Sequence, residues 1–148
     1  MSIRPKEFHF PLAVRWDAGR RVEVRVRGKD ALAVAPPVQF HGTDPSVWSP
    51  EDLFVGAAAS CLAVTFTGIA ERAGLAYTDL RVEADGTCGT RPDGRFGFTR
   101  VVLRLEVASD DEAKARELAE QAERSCLVAA SMDVPVDLEI TTYAVVPA

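Results

Sequence analysis

Three cysteines, Cys61, Cys88 and Cys126, are the residues of this 148-residue chain best suited to chemistry. The thiolate is the form of cysteine that attacks electrophiles and binds metals, and a thiol in apolar surroundings stays neutral and inert. Cys61 ends the run Gly56-Ala57-Ala58-Ala59-Ser60-Cys61. Its composition suits plain packing as well as it suits a nucleophile, because free cysteine is among the most buried residue types. A nucleophile here needs a cationic group brought from elsewhere in the chain. Cys126, in Arg124-Ser125-Cys126-Leu127, is open to the same two readings. Cys88, in Asp85-Gly86-Thr87-Cys88-Gly89, falls at a strand end beside a turn and reads as incidental. Glu51 and Asp52 form an acidic pair whose local reading is helix capping. Arg20 follows Gly19 in a turn, where an exposed side chain is the ordinary outcome.

Other chemistries find little support. With three cysteines and two histidines a zinc site is the natural rival, but no Cys-x-x-Cys, no His-x-x-x-His and no neighbouring Cys-His pair is present. There is no Gly-x-Ser-x-Gly elbow and no glycine-rich phosphate loop. The net charge of −5 argues against nucleic acid as a partner. The locally basic stretch Arg20 to Arg27 alternates with a period of two, which reads as the solvated face of a strand. Met1 to Glu7 lacks the apolar core and cleavage site of a leader, so a cytoplasmic location is expected. In that compartment three cysteines point to redox chemistry, metal binding or core filling rather than to structural disulfides.

The elements that must position these residues are legible from periodicity. Strand-like segments at Phe8–Phe10, Leu12–Trp16, Arg21–Arg27 and Ala31–Ala35 are separated by the turns at Asp17-Ala18-Gly19 and Gly28-Lys29-Asp30. A long loop follows, from residue 36 to residue 49. Ser49 as cap, Pro50 at the first helical position, and Glu51 and Asp52 at the positive end then start a helix. It should run to Ala73, with Gly74 as its stop. Leu53 to Ala70 is apolar enough to test as a membrane span. Ser60, Thr65, Thr67 and the acidic residues at both ends identify it instead as a helix buried in protein on nearly all sides, with no membrane partner. Two alternating segments, Asp79–Thr87 and Phe96–Val107, make a hairpin. A charged helix spans Asp110 to Arg124, capped by Ser109 or Asp110. A short helical piece lies within Ser125–Met132, and Val136–Val145 forms a last strand. No repeat or linker appears. The whole, residues 1–148, reads as a single α+β domain with helices packed on antiparallel sheets.

Together these features resemble a known pattern. Ser49-Pro50-Glu51-Asp52-Leu53-Phe54-Val55-Gly56-Ala57-Ala58-Ala59-Ser60-Cys61 resembles the first cysteine motif of the OsmC/Ohr family, the osmotically inducible and organic hydroperoxide resistance proteins. Ala122-Glu123-Arg124-Ser125-Cys126 resembles its second cysteine motif, and Trp16-Asp17-Ala18-Gly19-Arg20 the turn that carries its arginine. The element order matches over nearly the whole chain.

The resemblance implies an α+β, OsmC-like fold with a long buried central helix, assembled as an intertwined homodimer with its active sites at the subunit interface. It implies a thiol-dependent peroxidase acting on organic hydroperoxides, and on hydrogen peroxide in some members. No metal, flavin or haem is involved. The reductant is a thiol, dihydrolipoyl groups being known in the Ohr branch. On this resemblance Cys61 is the attacking thiolate and Arg20 lowers its pKa and binds the peroxide. Glu51 holds Arg20, and Cys126 closes a disulfide onto the sulfenic acid of Cys61. Phe40, Trp48 and Phe54 would give an apolar entry. In two places the chain departs from or blurs the pattern: Leu127 stands where the family usually has proline, and Arg21 adjoins Arg20 and competes with it for the same role. A non-catalytic protein binding a small apolar ligand on the same fold, or a metal-binding protein, are the alternatives.

Overall fold

The structure is a computed structural model, and it describes residues 6–145. Of the segment read as lacking a leader, Met1 to Pro5 lies outside these residues. The chain forms two compact units, Met1–Leu53 and Phe54–Ala148.

In the first unit, β1 (Ala13–Ala18) and β2 (Arg21–Arg25) pair antiparallel, and β3 (Leu32–Val34) pairs antiparallel with β2. The β1–β2 turn needs a left-handed residue, and Gly19 supplies it with φ +57°. The Trp16 indole N–H donates to the Gly19 carbonyl at 3.0 Å across this turn. Phe8–Phe10, expected to be strand-like, is not in a strand, and Phe10 stands 90% exposed. The long loop folds tightly on itself. Val38–Phe40 is a short 3-10 turn ended by His41 with φ +62°, and the Gly42 amide returns to the Pro37 carbonyl at 2.9 Å. A Cβ on Gly42 would lie 1.8 Å from the Pro36 carbonyl oxygen, so only glycine fits.

The helix α1 (Pro50–Ala73) starts as its sequence dictates. The Ser49 amide donates to Asp52 Oδ2 at 2.8 Å, and the Asp52 amide donates to Ser49 Oγ at 3.0 Å. This is a reciprocal capping box with aspartate in place of the usual glutamate. At the other end Gly74 takes φ +67° and stops the helix.

In the second unit, β4 (Asp79–Thr90) and β5 (Phe96–Ala108) pair antiparallel, while β6 (Val136–Tyr143) pairs parallel to β5. The sheet is therefore mixed rather than purely antiparallel. Parallel pairing needs a crossover, and α2 (Glu112–Arg124) and α3 (Leu127–Ala130) provide it. The apolar face of the sheet, with Val101, Leu103, Leu105 and Val107, meets Leu62, Phe66 and Ile69 of α1 and Leu118 of α2 in one core. The opposite face carries the ion pairs Arg100–Asp137 and Arg104–Glu139. The cap of α2 is Asp111, which accepts from the Lys114 amide at 3.0 Å, not Ser109 or Asp110. Ser109 is instead buried and donates to the Ala76 carbonyl at 2.7 Å.

By length and composition α1 could cross a bilayer, with mean hydropathy 1.9 over its apolar window, of which 28% is buried. Burial on nearly all sides is thus not reached within a single chain. Val64, in the middle of the helix, is 70% exposed.

Candidate functional site

Cys61 sits mid-helix on α1, half-buried, and Cys126 is the residue that begins α3, fully buried. The fold places the two thiols near enough for each to shift the other's titration. The cause is local. Cys126 takes an extended backbone as the first residue ahead of α3, and the first amides of any helix have no partner within it. Here those amides meet sulfur.

The two thiols are shifted in opposite directions. Burial pushes the Cys61 thiol up. Donation from the Val128 amide, the Cys126 thiol, the Thr65 hydroxyl and the Leu127 amide outweighs it, so the Cys61 pKa lies below that of an ordinary thiol. The Thr65 Oγ1 stands 3.9 Å from Cys61 Sγ, one helical turn on. Burial also pushes the Cys126 thiol up. The Ala129 and Val128 amides oppose this, but the neighbouring Cys61 adds to the rise, and the net shift is upward. Cys61 therefore ionises at lower pH than Cys126. Thr65 and the two amides are absent from the residues singled out by sequence. The i, i+4 spacing of Cys61 and Thr65 is a signal that points to the first.

Arg20 and Glu51 both belong to the first unit and line one hollow of about 300 Å³, together with Val22, Val34, Pro37 and Phe40. The Arg20 guanidinium donates to the His41 carbonyl at 3.2 Å and the Phe40 carbonyl at 3.4 Å. Among the described residues no ion pair joins Arg20 to Glu51, and Glu51 Oε2 is buried without a hydrogen-bond partner. Arg21 is committed elsewhere. Its Nη1 binds Asp44 Oδ2 at 3.1 Å, and its Nε lies 3.2 Å from Asp17 Oδ2, near enough for charge attraction though not aligned for a hydrogen bond. Arg20 therefore has the less committed guanidinium of the two. Of the three aromatics expected at an entry, Phe40 lines the hollow and Trp48 is held by the Ala35 amide at its carbonyl. Phe54 lies in the second unit, stacked on Phe98 with ring centroids 4.5 Å apart. Cys88 is half-buried on β4, next to a bulge at Thr87. Among the described residues no group of three or more His, Cys, Asp or Glu side chains is placed to hold a metal ion.

Comparison with known proteins gives the same outline. The chain is 28% identical over 141 residues to the uncharacterised protein YmaD of Bacillus subtilis, covering 90% of this chain and 93% of that one. An OsmC-like protein of unknown function from Vibrio cholerae superposes with TM-score 0.83 at 20% identity, over 90% of this chain and 99% of the other. An organic hydroperoxide resistance protein from Elizabethkingia anophelis gives 0.78 at 20% identity, over 95% and 100%. The organic hydroperoxide resistance protein OhrB of Bacillus subtilis gives 0.66 at 21%, over 92% and 98%. At these identities the structures speak for the fold. The family model described as OsmC-like protein matches residues 42–141, a stretch that holds both cysteine motifs, and the chain accordingly belongs to the OsmC-like protein family.

Proposed function

We propose that the chain is a cytoplasmic, two-cysteine peroxidase that reduces organic hydroperoxides at the expense of an external thiol or dihydrolipoyl group. The observation that carries this reading is the mutual influence of Cys61 and Cys126, which shifts the first thiol down and the second up. A peroxidatic thiol must be ionised near neutral pH, and a resolving thiol need not be until its turn comes.

The Cys61 thiolate attacks the terminal oxygen of the hydroperoxide. An S–O bond forms, the O–O bond breaks, and the alkoxide leaves as the alcohol after taking up a proton. Sulfur is oxidised by two electrons to a sulfenic acid. Cys126 sulfur then attacks Cys61 sulfur, forming the disulfide and releasing water. An external dithiol restores both thiols by exchange and is itself left oxidised. Arg20 is assigned to binding the peroxide and favouring the thiolate, and Glu51 to orienting Arg20. The uncommitted Glu51 oxygen and the lighter engagement of Arg20 support those roles. Relatives of this fold that carry hydroperoxide resistance in their names support the substrate class.

The reading includes a homodimer. The apolar surface of α1 that one chain leaves uncovered, with Val64 exposed, is what a second copy would bury. The mostly apolar lining of the hollow around Phe40 favours a second reading, a protein that binds a small apolar ligand without turnover. One assay separates the two. The peroxidase consumes cumene hydroperoxide in the presence of a dithiol, and Cys61→Ser abolishes this. Equal consumption by both proteins removes the peroxidase reading.

A further inference from the structure

Two neighbouring arginines, Arg20 and Arg21, join the loop of residues 36–49 to the β1–β2 turn, and they do so in different ways. Arg20 donates to main-chain carbonyls, those of His41 at 3.2 Å and Phe40 at 3.4 Å, and it lines the hollow with Phe40 and Glu51. Arg21 meets carboxylates. Its Nη1 donates to Asp44 Oδ2 at 3.1 Å, and its Nε, which is buried, lies 3.2 Å from Asp17 Oδ2. The proposed reaction uses Arg20 and gives Arg21 no role.

Local features of the chain build this second anchor. β1 pairs with β2 at Trp16–Val22 and again at Ala18–Arg21, so Asp17 is the extra residue on its strand. A bulge of this kind re-aims a side chain, and Asp17 comes to sit beside the Arg21 guanidinium. On the loop side Asp44 is set by its own turn. Its Oδ1 accepts from the Ser46 amide at 3.1 Å and from the Ser46 hydroxyl, while Oδ2 meets Arg21. The loop also has bonds of its own: the Ala35 amide donates to the Trp48 carbonyl at 3.0 Å, and the Gly42 amide to the Pro37 carbonyl at 2.9 Å. Those bonds give the loop its shape. The Arg21–Asp44 bond sets where residues 43–46 lie against the turn that carries Arg20. Both ion pairs of Arg21 are partly exposed and add little stability, so their contribution is to position.

We propose that Arg21 is a positioning residue for Arg20: clamped between Asp17 and Asp44, it fixes residues 43–46 against the β1–β2 turn and keeps the Phe40 and His41 carbonyls within reach of the Arg20 guanidinium at the wall of the hollow. The same clamp occupies the second guanidinium, and of the two arginines only Arg20 lines the hollow. For catalysis the proposal rests on the peroxidase reading, in which Arg20 binds the peroxide. The consequence lies in binding: a loosened wall weakens the hold on the hydroperoxide before its O–O bond breaks, and the chemical step at Cys61 keeps its rate.

The test compares wild type, Arg21→Ala, Arg21→Lys and Asp44→Asn as full-length proteins. The first readout is the rate at which phenylglyoxal modifies Arg20, told apart from Arg21 by fragment mass. It rises several-fold in Arg21→Ala and Asp44→Asn, because the Arg20 guanidinium leaves its carbonyls. Arg21→Lys falls between, since its ammonium can still pair with one carboxylate. The second readout is KM for cumene hydroperoxide, which rises several-fold in Arg21→Ala and Asp44→Asn at nearly constant kcat, the pattern of lost ground-state binding. Wild-type modification of Arg20 in both of these variants overturns the proposal, and so does a kcat that falls while KM keeps its wild-type value. If Arg21→Ala does not fold, Asp44→Asn, which changes only a partly exposed charge, decides alone by the same two readouts. Should wild type leave the hydroperoxide unconsumed, the peroxidase reading fails, while the modification of Arg20 still decides what Arg21 does.

Discussion

The half-buried Cys61 thiol on α1 and the fully buried Cys126 thiol at the start of α3 each shift the other's titration, and both draw on the Val128 amide. The Cys61 pKa is lowered and the Cys126 pKa is raised. A thiolate exists above its pKa, so there is a pH window, opening below the ordinary thiol value and closing above it, in which Cys61 is anionic and Cys126 is still protonated. Within that window iodoacetamide labels Cys61 well before Cys126. Peptide-resolved labelling at about pH 8, just under the ordinary thiol value, checks the order, and equal rates refute it.

The Cys126 thiol is one of the donors that stabilise the Cys61 anion. Cys126→Ala removes that donor and should raise the Cys61 mid-point, whereas Cys126→Ser keeps a hydroxyl donor and should raise it less. Both variants lose disulfide closure and accumulate sulfenic acid with peroxide. The order of the two mid-points, read from thiolate absorbance or alkylation, is the check.

Arg20→Ala should lower kcat/KM for cumene hydroperoxide by about a hundredfold, the usual scale for losing a group that binds developing negative charge. Arg20→Lys should recover little, because an ammonium lacks the planar fork that meets two carbonyls or a peroxide together. Glu51→Gln should cost less than Arg20→Ala. Steady-state kinetics of the three variants give the ranking.

Gly86 on β4 is where α1 comes close to the sheet. A Cβ there would stand 2.6 Å from Val55 Cγ2 and 2.7 Å from the Phe98 ring. Gly86→Ala should destabilise the protein by about 1–3 kcal/mol through overpacking. That lowers the thermal mid-point by roughly 2–10 °C, with the alkylation order of the cysteines unchanged. Calorimetry reads the first and peptide mapping the second.

Val64→Asp places a charge on the uncovered surface of α1. If a second copy covers that surface, the variant sediments as a monomer where wild type sediments as a dimer. Sedimentation equilibrium at matched concentrations is the measurement.

Much of this is legible in the sequence, and the parts that are not have physical reasons. Both ends of α1 can be read, because Ser49, Pro50, Asp52 and Gly74 act through local backbone chemistry. The α2 cap falls one or two residues beyond its expected place, since Ser109, Asp110 and Asp111 all have capping side chains. In the fold the Ser109 hydroxyl is drawn to the Ala76 carbonyl, and Asp111 is the cap. The parallel pairing of β6 is hidden because alternation reports which face is buried, not strand direction. The nearness of Cys61 and Cys126 comes from family resemblance alone. The part of Val128 and Leu127 cannot be read at all, because a main-chain amide has no residue-type signature.

Peptide mapping of the intact protein after one equivalent of cumene hydroperoxide goes straight to the two-cysteine cycle. The expected product is a peptide linked through Cys61 and Cys126, lighter by two hydrogens, with Cys88 unmodified. Recovery of Cys61 and Cys126 as unmodified thiols, with the peroxide unconsumed, rules the cycle out.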